Sequence, residues 1–496
     1  MLGKSPVQEQ SSLFQPLLKE FINMQHQLVL LSEKIDWKSL EREFTPLYST
    51  TGTPAKPIRL MSGLLILKQL YDMGDETIIP AWIANPYFQY FCGEAHFQWE
   101  QPCDPSDLVH FRKRIGEQGV EIIFQQSIQI HGKQAQSDEI VIDSTAQEKN
   151  ITYPTDTKLH IKIIKQCNKI AQQENMVQRQ TYTRTVKRLL ITSRFSHHPK
   201  RKKNARNAQR KIKTIAGRQV RELQRNFSAE QLQQHAEKLE LFKRVLTQKQ
   251  HDTDKIYSLH EPDVACIAKG KAHKPYEFGS KTSFAITKHT NIVVAAVDFN
   301  GNPHDSKTLE ATLNQHQQLT GKRAKVAIVD RGYRGKKQVA QTQIISPDNA
   351  SNKTGYQKQK ARIRFRRRAA IEPVISHIKQ QYGMKRNFLK GKTGDKINAM
   401  FAAAAFNFKS WMNKLKEKLF FVLHFLRQLN CSNCPLFSTK AFEGSNFPDQ
   451  EGVLSCACAV VRNRKQDARR RVIDDFIGYL VLVFSYLIIT LIQVAS

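Results

Sequence analysis

The chain has 496 residues, of which 77 are Lys or Arg and 44 are Asp or Glu, so its formal net charge is +33. Its length exceeds the roughly 150 residues of an average domain, which predicts two or three domains with ample buried surface. So basic a chain is usually held against polyphosphate. The polar amino terminus lacks the apolar stretch of a signal peptide, which argues against secretion, and we expect a cytoplasmic, nucleoid-associated protein.

The first part of the chain carries apolar side chains at helical spacing, as in IRLMSGLLILKQLYDM, and several prolines divide it into short segments. We predict an all-helical DNA-binding domain over residues 1–125. A bundle of this kind can contain a helix-turn-helix, although helical bundles without DNA contacts are the commoner class. The periodicity therefore predicts the helices and leaves their role open.

The pattern changes at the segment EIVID, where a β-branched run ends at Asp143. Later strand-like runs are YEFGSKTSFAIT, NIVVAAVDF, KVAIVD and TQIIS, and helix-like segments stand between some of them. This alternation is typical of a mixed α/β layer fold. We predict an α/β domain over residues 136–420, interrupted at about residues 158–258 by a basic helical insertion.

Positive charge is concentrated in two segments. Residues 158–225 contain 20 Lys and Arg against two Glu, and residues 353–390 contain 12 against Glu372 alone. A solvated basic segment is the plain explanation of the first. In the second, a dozen cations around one carboxylate exceed what a surface ion pair needs.

Two aspartates end strand-like runs, since Asp143 follows EIVI and Asp330 follows KVAIV. An Asp at the carboxyl end of a strand faces the crevice in which open α/β sheets bind ligands. A single Asp in that position more often caps the turn that follows. Asp298 ends the run NIVVAAVD in the same way and Asp305 begins a helix-like segment, so on position alone either competes with Asp330.

Glu372 lies in RIRFRRRAAIEPVISHIK, which we predict to be one helix. Phe365, Arg368 and Lys379 stand at offsets of −7, −4 and +7 from it, which return to nearly one helical face. The carboxylate of Glu372 is thereby predicted to share a helical face with two cations and an aromatic ring.

The order of these residues resembles the DDE transposases of bacterial insertion sequences, in the insertion-sequence-five/four group. Asp330 stands in VDRGY, and Glu372 stands in F-x2-R-x3-E-x6-K, where the family has Y-x2-R-x3-E-x6-K. The segment DPSDLVHFRKRIG also resembles the amino-terminal region of the insertion-sequence-five proteins. The resemblance spans roughly residues 35–415.

The resemblance implies that Asp143, Asp330 and Glu372 are catalytic and bind metal, namely two Mg²⁺ ions, with Mn²⁺ as an alternative. Three carboxylates brought together repel one another unless cations join them, which agrees with a metal site. The predicted DNA-binding side chains are Phe365, Arg368, Lys379, Arg331 and Tyr333. Phe365 departs from the family's Tyr, because it keeps a ring for stacking and lacks the hydroxyl that bonds phosphate.

The implied fold is α/β, with a ribonuclease-H-like catalytic core that follows the all-helical domain and is interrupted by the helical insertion. The implied function is that of a DNA transposase, which cleaves transposon ends and transfers the strands into target DNA with divalent metal. Its partners are double-stranded DNA, at the ends and at the target, and a second copy of the chain in a homodimer. The alternative is a catalytically inactive, repressor-like DNA-binding protein derived from a transposase.

The tail over residues 421–496 has another character. It contains Cys431, Cys434, Cys456 and Cys458, whose spacing is too tight at the second pair for a usual zinc knuckle. An uncharged apolar stretch at residues 476–492 reaches the lower edge of a membrane-spanning length. We expect no membrane partner, although this stretch leaves membrane attachment open.

Overall fold

The computed structural model describes residues 16–249, 251–268, 274–335, 337–347 and 354–428. The chain divides into two compact units, Met1–Phe420 and Phe421–Ser496, and almost all described residues belong to the first. The four tail cysteines and the candidate transmembrane segment 476–492 lie outside the described residues. Within the described residues, no helix has the length and apolar character that a membrane crossing requires.

The described residues begin with helices, as the apolar spacing predicts. Their bounds are α1 Leu18–Phe21, α2 Gln27–Lys34, α3 Trp37–Phe44, α4 Ile58–Leu70, α5 Asp75–Ala84, α6 Pro86–Phe91 and α7 Pro105–Gln129. The start of α7 follows from local chemistry, because the Asp104 carboxylate accepts the Ser106 N–H at 2.8 Å and the Asp107 carboxylate accepts the Asp104 N–H at 3.0 Å. Pro105, which has no N–H to satisfy, occupies the first helical position.

A seven-stranded mixed sheet forms the centre of the molecule. The strands are β1 Glu139–Glu148, β2 Ala265–Ala268, β3 Tyr276–Thr287, β4 Val293–Phe299, β5 Val326–Ile328, β6 Gln338–Val339 and β7 Thr342–Ile345. Their order is β2-β3-β1-β5-β7-β6, and β4 also pairs with β3, on the edge that faces away from β1. Because β1 is antiparallel to β3 and parallel to β5, the sheet is mixed, as in the predicted ribonuclease-H-like fold.

Strand β1 is longer than its sequence pattern predicts. The β-branched run ends at Asp143, yet the strand continues for five more residues, to Glu148. Those residues pair with β3, and the register matches Asp143 with Phe284 and Glu148 with Gly279. The expectation that the strand ends at Asp143 was wrong, because long-range pairing with β3 extends a polar segment that is not itself rich in strand-forming residues.

The insertion between β1 and β2 is helical. Its helices are α8 Asp156–Gln173, α9 Thr183–Ser193, α10 Lys202–Asn226, α11 Ala229–Gln234 and α12 Ala236–Thr247. They bury a hydrophobic cluster of their own, which includes Ile163, Val220 and Phe242. The insertion therefore has a core separate from that of the sheet.

The remaining helices are α13 Asp305–Thr320, α14 Gly355–Arg368, α15 Ile371–Gln381 and α16 Gly391–Gln428. A single large hydrophobic cluster joins the amino-terminal helices, the sheet and these helices, with members such as Phe111, Ile142 and Phe408. The amino-terminal helices thus share the core of the sheet. The bounds 1–125, 136–420 and 421–496 stay predictions, as does the DNA-binding role of the first.

A buried ion cluster ties both ends of the insertion to the sheet domain. Lys149 follows β1 and places its ammonium 2.6 Å from Asp395 Oδ1 of α16 and 3.6 Å from Glu261 Oε2, which precedes β2. The Gly391 N–H donates to the same Glu261 oxygen at 3.0 Å. Because Lys149 and Glu261 are almost fully buried, these contacts fix where the insertion leaves and rejoins the sheet.

We predict that Gly279→Ala destabilises the fold by about 3 kcal/mol or more, because a methyl group there overlaps the Gln147 carbonyl oxygen of β1. The measurement is urea unfolding of the full chain, and Gly355→Ala is the control because the space around Gly355 is open. If the two variants unfold at the same urea concentration, the close approach of β1 and β3 is not as described.

Candidate active site

Parallel pairing brings two of the predicted acids together. The register of β1 and β5 matches Val141 with Ile328. Two residues further along the same register, Asp143 lies beside Asp330, and the two side chains share one face of the sheet. Asp330 follows the end of β5, so its carboxylate also caps the next turn by accepting the Gly332 N–H at 2.8 Å.

The third acid comes from a helix that is broken where the sequence predicts continuity. Helix α14 ends at Arg368 and α15 begins at Ile371, so the expectation of one helix was wrong. Pro373 explains the break, because it has no N–H for the carbonyl four residues earlier and its ring crowds that carbonyl in a helix interior. Starting a new helix at Ile371 places Pro373 in a first turn, where it is tolerated, and sets Glu372 one residue before it.

Arg368 lies at the point where the three acids converge. Its Nη2 atom is 3.5 Å from Asp143 Oδ2, 4.0 Å from Asp330 Oδ2 and 3.8 Å from Glu372 Oε1. The side chain of Asp143 is 16% exposed, that of Asp330 35% and that of Glu372 65%, so the acids line a path from the interior to solvent. The three predicted catalytic residues therefore surround one positive charge.

The pKa of Asp143 is raised to about 6, chiefly by burial and also by the negative charges of Asp330 and Glu372, against the lowering effects of the Ser144 N–H and Arg368. The charged form of Asp143 is thus costly without a nearby cation. The guanidinium of Arg368 supplies that charge here. Its Nε–H is buried and has no hydrogen-bond partner among the described residues, so Arg368 is held for its charge rather than for a full set of hydrogen bonds.

The donor set fits a divalent cation, since carboxylate oxygens are the ligands that Mg²⁺ prefers. In the part of the chain that the structure describes, no three His, Cys, Asp or Glu side chains approach closely enough to hold a metal ion directly. The acids lie 3.5–4.0 Å from Arg368 Nη2, whereas ligand oxygens lie about 2.0–2.6 Å from such ions. The three acids therefore contact the Arg368 guanidinium at ion-pair distances, which are longer than metal–ligand distances.

Asp305 supports the site from behind the sheet. Its Oδ1 atom accepts the Ser144 hydroxyl at 2.7 Å and the Lys281 ammonium at 3.0 Å. A Cβ atom at Gly332 would lie 2.9 Å from Asp305 Oδ2 and 3.0 Å from Asp330 Oδ1, so glycine is needed for the turn to pack this closely. Asp305 thereby links β1, β3 and the turn after β5. Sequence reasoning treated it as a competitor of Asp330 and missed this supporting position.

Asp298, the other competitor, is buried away from Arg368. One of its oxygens accepts the hydroxyls of Ser280 and Thr282, each at 2.7 Å. The register of β3 with β4 pairs it with Thr282. It is therefore a satisfied polar group between strands, although its burial raises its pKa to about 7.

The predicted DNA-binding residues have different environments. Arg331 is exposed, directly after Asp330. Tyr333 is only 1% exposed, so its burial argues against the predicted DNA contact. Phe365 is partly buried and packs against the main core, which leaves less of its ring for stacking than expected. Lys379 lies two turns after Glu372 on α15, as its spacing predicts.

Two family models match this chain. A transposase domain (DUF772) matches residues 16–114, and a transposase DDE domain matches residues 244–408. An uncharacterized protein, ORF8 in the nfe locus of Rhizobium meliloti, is 34% identical over 203 residues, which are 40% of this chain and 98% of that protein. The chain belongs to the DDE transposase family.

No solved structure matches the transposase. Its DDE match contains Asp330 and Glu372, while Asp143 lies between the two matched ranges. Members of this family bind DNA and use divalent metal, and the ribonuclease-H-like core is the fold that the DDE domain implies. The assignment to the insertion-sequence-five/four group stays a prediction.

We predict that Arg368→Gln lowers the free energy of unfolding by about 1–2 kcal/mol at pH 8 in EDTA, because three acids lose their shared counter-charge. Adding Ca²⁺ should raise the melting temperature of this variant more than that of the parent, since no guanidinium competes for the acids. The control Arg367→Gln removes the same charge from an exposed neighbour. Equal melting of the two variants in EDTA argues against a counter-charge role for Arg368.

We predict that Asp298→Asn stabilises the protein above neutral pH. Burial raises the pKa of Asp298 from 3.8 to about 7, so the parent loses stability as the pH rises from about 4 to 7 and Asp298 gains its charge. An uncharged Asn avoids that loss and should be more stable by about 2–4 kcal/mol at pH 8, with no advantage at pH 4. Chemical unfolding across this range measures the difference, and Asp254→Asn, a change at an exposed aspartate, serves as the control.

Proposed function

We propose that this transposase cleaves transposon ends and joins them to target DNA by metal-dependent phosphoryl transfer. The observation that carries the proposal is the convergence of Asp143, Asp330 and Glu372 on one cation, Arg368 Nη2. These acids come from a strand, a turn and a helix that are far apart in sequence. Bringing carboxylates together costs free energy because their charges repel, and such arrangements are typical of sites that hold cations during a reaction.

Asp143, Asp330 and Glu372 would hold the metal, for which the family resemblance implies two Mg²⁺ ions with Mn²⁺ as an alternative. When bound, a pair of such ions activates an attacking oxygen and stabilises the leaving oxygen in an in-line displacement at phosphorus. Asp143 is fixed by the sheet and the Ser144 N–H, which donates to it at 2.8 Å. Glu372 is the most exposed of the three and lies where DNA enters from solvent.

If metal neutralised the three acids, Arg368 would be released from its ion pairs with them. Its guanidinium then becomes available to the phosphate backbone, together with exposed Arg331 and with Lys379 on α15. Planar guanidinium donors suit phosphate oxygens, and they also neutralise the charge that develops at phosphorus. The substrates are the double-stranded ends of the element and the target DNA. Because two ends must be joined together, we propose that a homodimer acts.

The alternative is an inactive, repressor-like DNA-binding protein. Such a protein has no need to keep three acids converged. Phe365, the one departure from the family signature, contacts the core with part of its ring, so the missing hydroxyl alters one side of the site and leaves the acids in place. We therefore favour an active enzyme.

We predict that Asp143→Asn, Asp330→Asn and Glu372→Gln each lower strand cleavage by at least about 100-fold, because each removes a ligand worth several kcal/mol to the transition state. The assay uses purified full chain, Mg²⁺ and a duplex that carries the inverted repeats flanking the reading frame. Glu310→Gln, an exposed acid on α13, is the control and should cleave like the parent.

Two results would contradict the proposal. Cleavage by any of the three variants at the rate of the parent would remove that acid from the site. A parent that binds the duplex equally in EDTA and in Mg²⁺, and cleaves in neither, would favour the repressor-like protein.

A further inference from the structure

The exposed Lys and Arg side chains of α9 and α10, together with those of the segment between them, form one surface of the insertion, which we name the insertion basic surface. We propose that this surface binds the phosphate backbone of duplex DNA while the acids act on the same molecule. The inference deepens the proposed function, and rests on it, because the partner is the DNA that the active site cleaves.

The Lys and Arg side chains of α9 and α10 lie outside the hydrophobic core of the insertion. Apolar side chains from α8, α9, α10 and α12 pack into a core of their own, with Val186 from α9 and Ile212 and Val220 from α10 among its members. The Lys and Arg side chains of α9 and α10 are all exposed. None of the charged side chains of this surface is buried, so they are accessible to a binding partner.

Helix α9 presents its charge on one face. Arg184, Lys187 and Arg188 follow one another at offsets of three and four residues, and Ile191 continues the series. Ile191 is 51% exposed and Phe195, just beyond the helix, is 37% exposed. The guanidinium of Arg201 lies 4.8 Å above the Phe195 ring, so the segment that follows α9 carries cations over an exposed aromatic group.

Helix α10 extends the surface. It contains nine Lys and Arg and a single acid, Glu222. Its 25 residues give a length of about 37 Å, close to the roughly 34–36 Å of one turn of duplex DNA. A helix of this length and charge can follow a run of phosphates along the backbone.

The acids near these cations have other partners, and Asp156, which lines a cavity with Arg206, Arg210 and Lys213, pairs with Lys255 at 3.0 Å. Glu174 accepts from His235 at 2.9 Å and from Gln231 at 3.1 Å. Glu222 accepts the Arg179 backbone N–H at 2.9 Å. Within the described ranges, no ion pair joins a Lys or Arg of α9 or α10 to a carboxylate. The surface thus lacks internal counter-ions, and a dense line of phosphates supplies them with release of salt ions.

The covalent route to the active site is short. Glu148 lies five residues after Asp143 in β1, which is about 16 Å of strand, and α8 begins eight residues later. The buried cluster of Lys149, Glu261 and Asp395 holds both ends of the insertion on the sheet domain. A duplex engaged at the acids is therefore within reach of the insertion, which favours DNA over an acidic protein or a lipid surface as the partner.

The test is the salt dependence of duplex binding by the full chain in EDTA, where no cleavage occurs. Changing Arg184, Lys187 and Arg188 together to Gln should reduce the slope of log affinity against log KCl by about 2–3, since each phosphate contact contributes about 0.9. Affinity at low salt should fall at least about tenfold. Circular dichroism melting should match that of the parent, because the three side chains lie outside the core.

The matched control neutralises three exposed cations of α12, by Lys238→Gln, Lys243→Gln and Arg244→Gln. It makes the same change in net charge, but α12 carries Glu237 and Glu240 beside them. This control should keep the slope of the parent. A second variant on α10, with Arg206, Arg210 and Lys213 changed to Gln, should lower the slope as the α9 variant does.

Three outcomes would overturn the inference. One is an α9 variant with the parent's slope, and another is an α12 control that loses as much slope, which would mean that only net charge matters. The third is an α9 variant that keeps duplex affinity and loses binding to phosphatidylserine vesicles, which would make the partner a membrane. The proposed function is judged separately, by cleavage with the parent and with Asp143→Asn, whose duplex binding in EDTA should keep the parent's slope.

Discussion

The pairing of β1 with a strand on each side is the constraint on which the rest of the described structure depends. On one edge β1 is antiparallel to β3 over nine matched residues, and on the other it is parallel to β5 over three. Because side chains alternate along a strand, a slip of one residue would turn Ser144 toward Arg368 and Asp143 toward Asp305. The register therefore decides which acid faces the site. The tight passage of Gly279 past Gln147 helps to hold that register.

Carboxylates on the two faces of β1 are each paired with a cation, and we call these faces the front layer and the back layer. In front, Asp143, Asp330 and Glu372 share the guanidinium of Arg368. Behind, Asp305 takes the ammonium of Lys281 and the hydroxyl of Ser144. Both layers obey the rule that a carboxylate leaving water needs a cation or several donors. The front layer differs in that one guanidinium, at the end of α14, faces three carboxylates.

The candidate active site and the insertion basic surface lie on parts of the chain with separate hydrophobic cores. The sheet, the amino-terminal helices and the helices that follow β4 share one hydrophobic cluster, and the insertion has another. A second core allows helices rich in Lys and Arg to fold without burying charge in the sheet domain. At the ends of the insertion, Lys149 and Glu261 form a buried ion cluster with Asp395 of the sheet domain.

The sequence by itself determined much of the local structure and the class of the protein. Apolar periodicity predicted the amino-terminal helices, β-branched runs predicted the strands, and the spacing around Glu372 identified Arg368 as its neighbour, which remains true at 3.8 Å. The order of the acids predicted the family. These features are local, because they depend on residues within one or two helical turns of each other or on short sequence motifs.

The tertiary structure alone decided what depends on distant partners. It extended β1 past Asp143 by pairing with β3, paired Asp305 with Ser144 and Lys281, and enclosed Asp298 between the hydroxyls of Ser280 and Thr282. It also buried Tyr333. A periodic pattern reports which face of an element is apolar, but it carries no information on which element lies against that face. The helix break before Pro373 does not depend on a distant partner. The proline is visible in the sequence, and its effect outweighs the helical spacing of the residues around it.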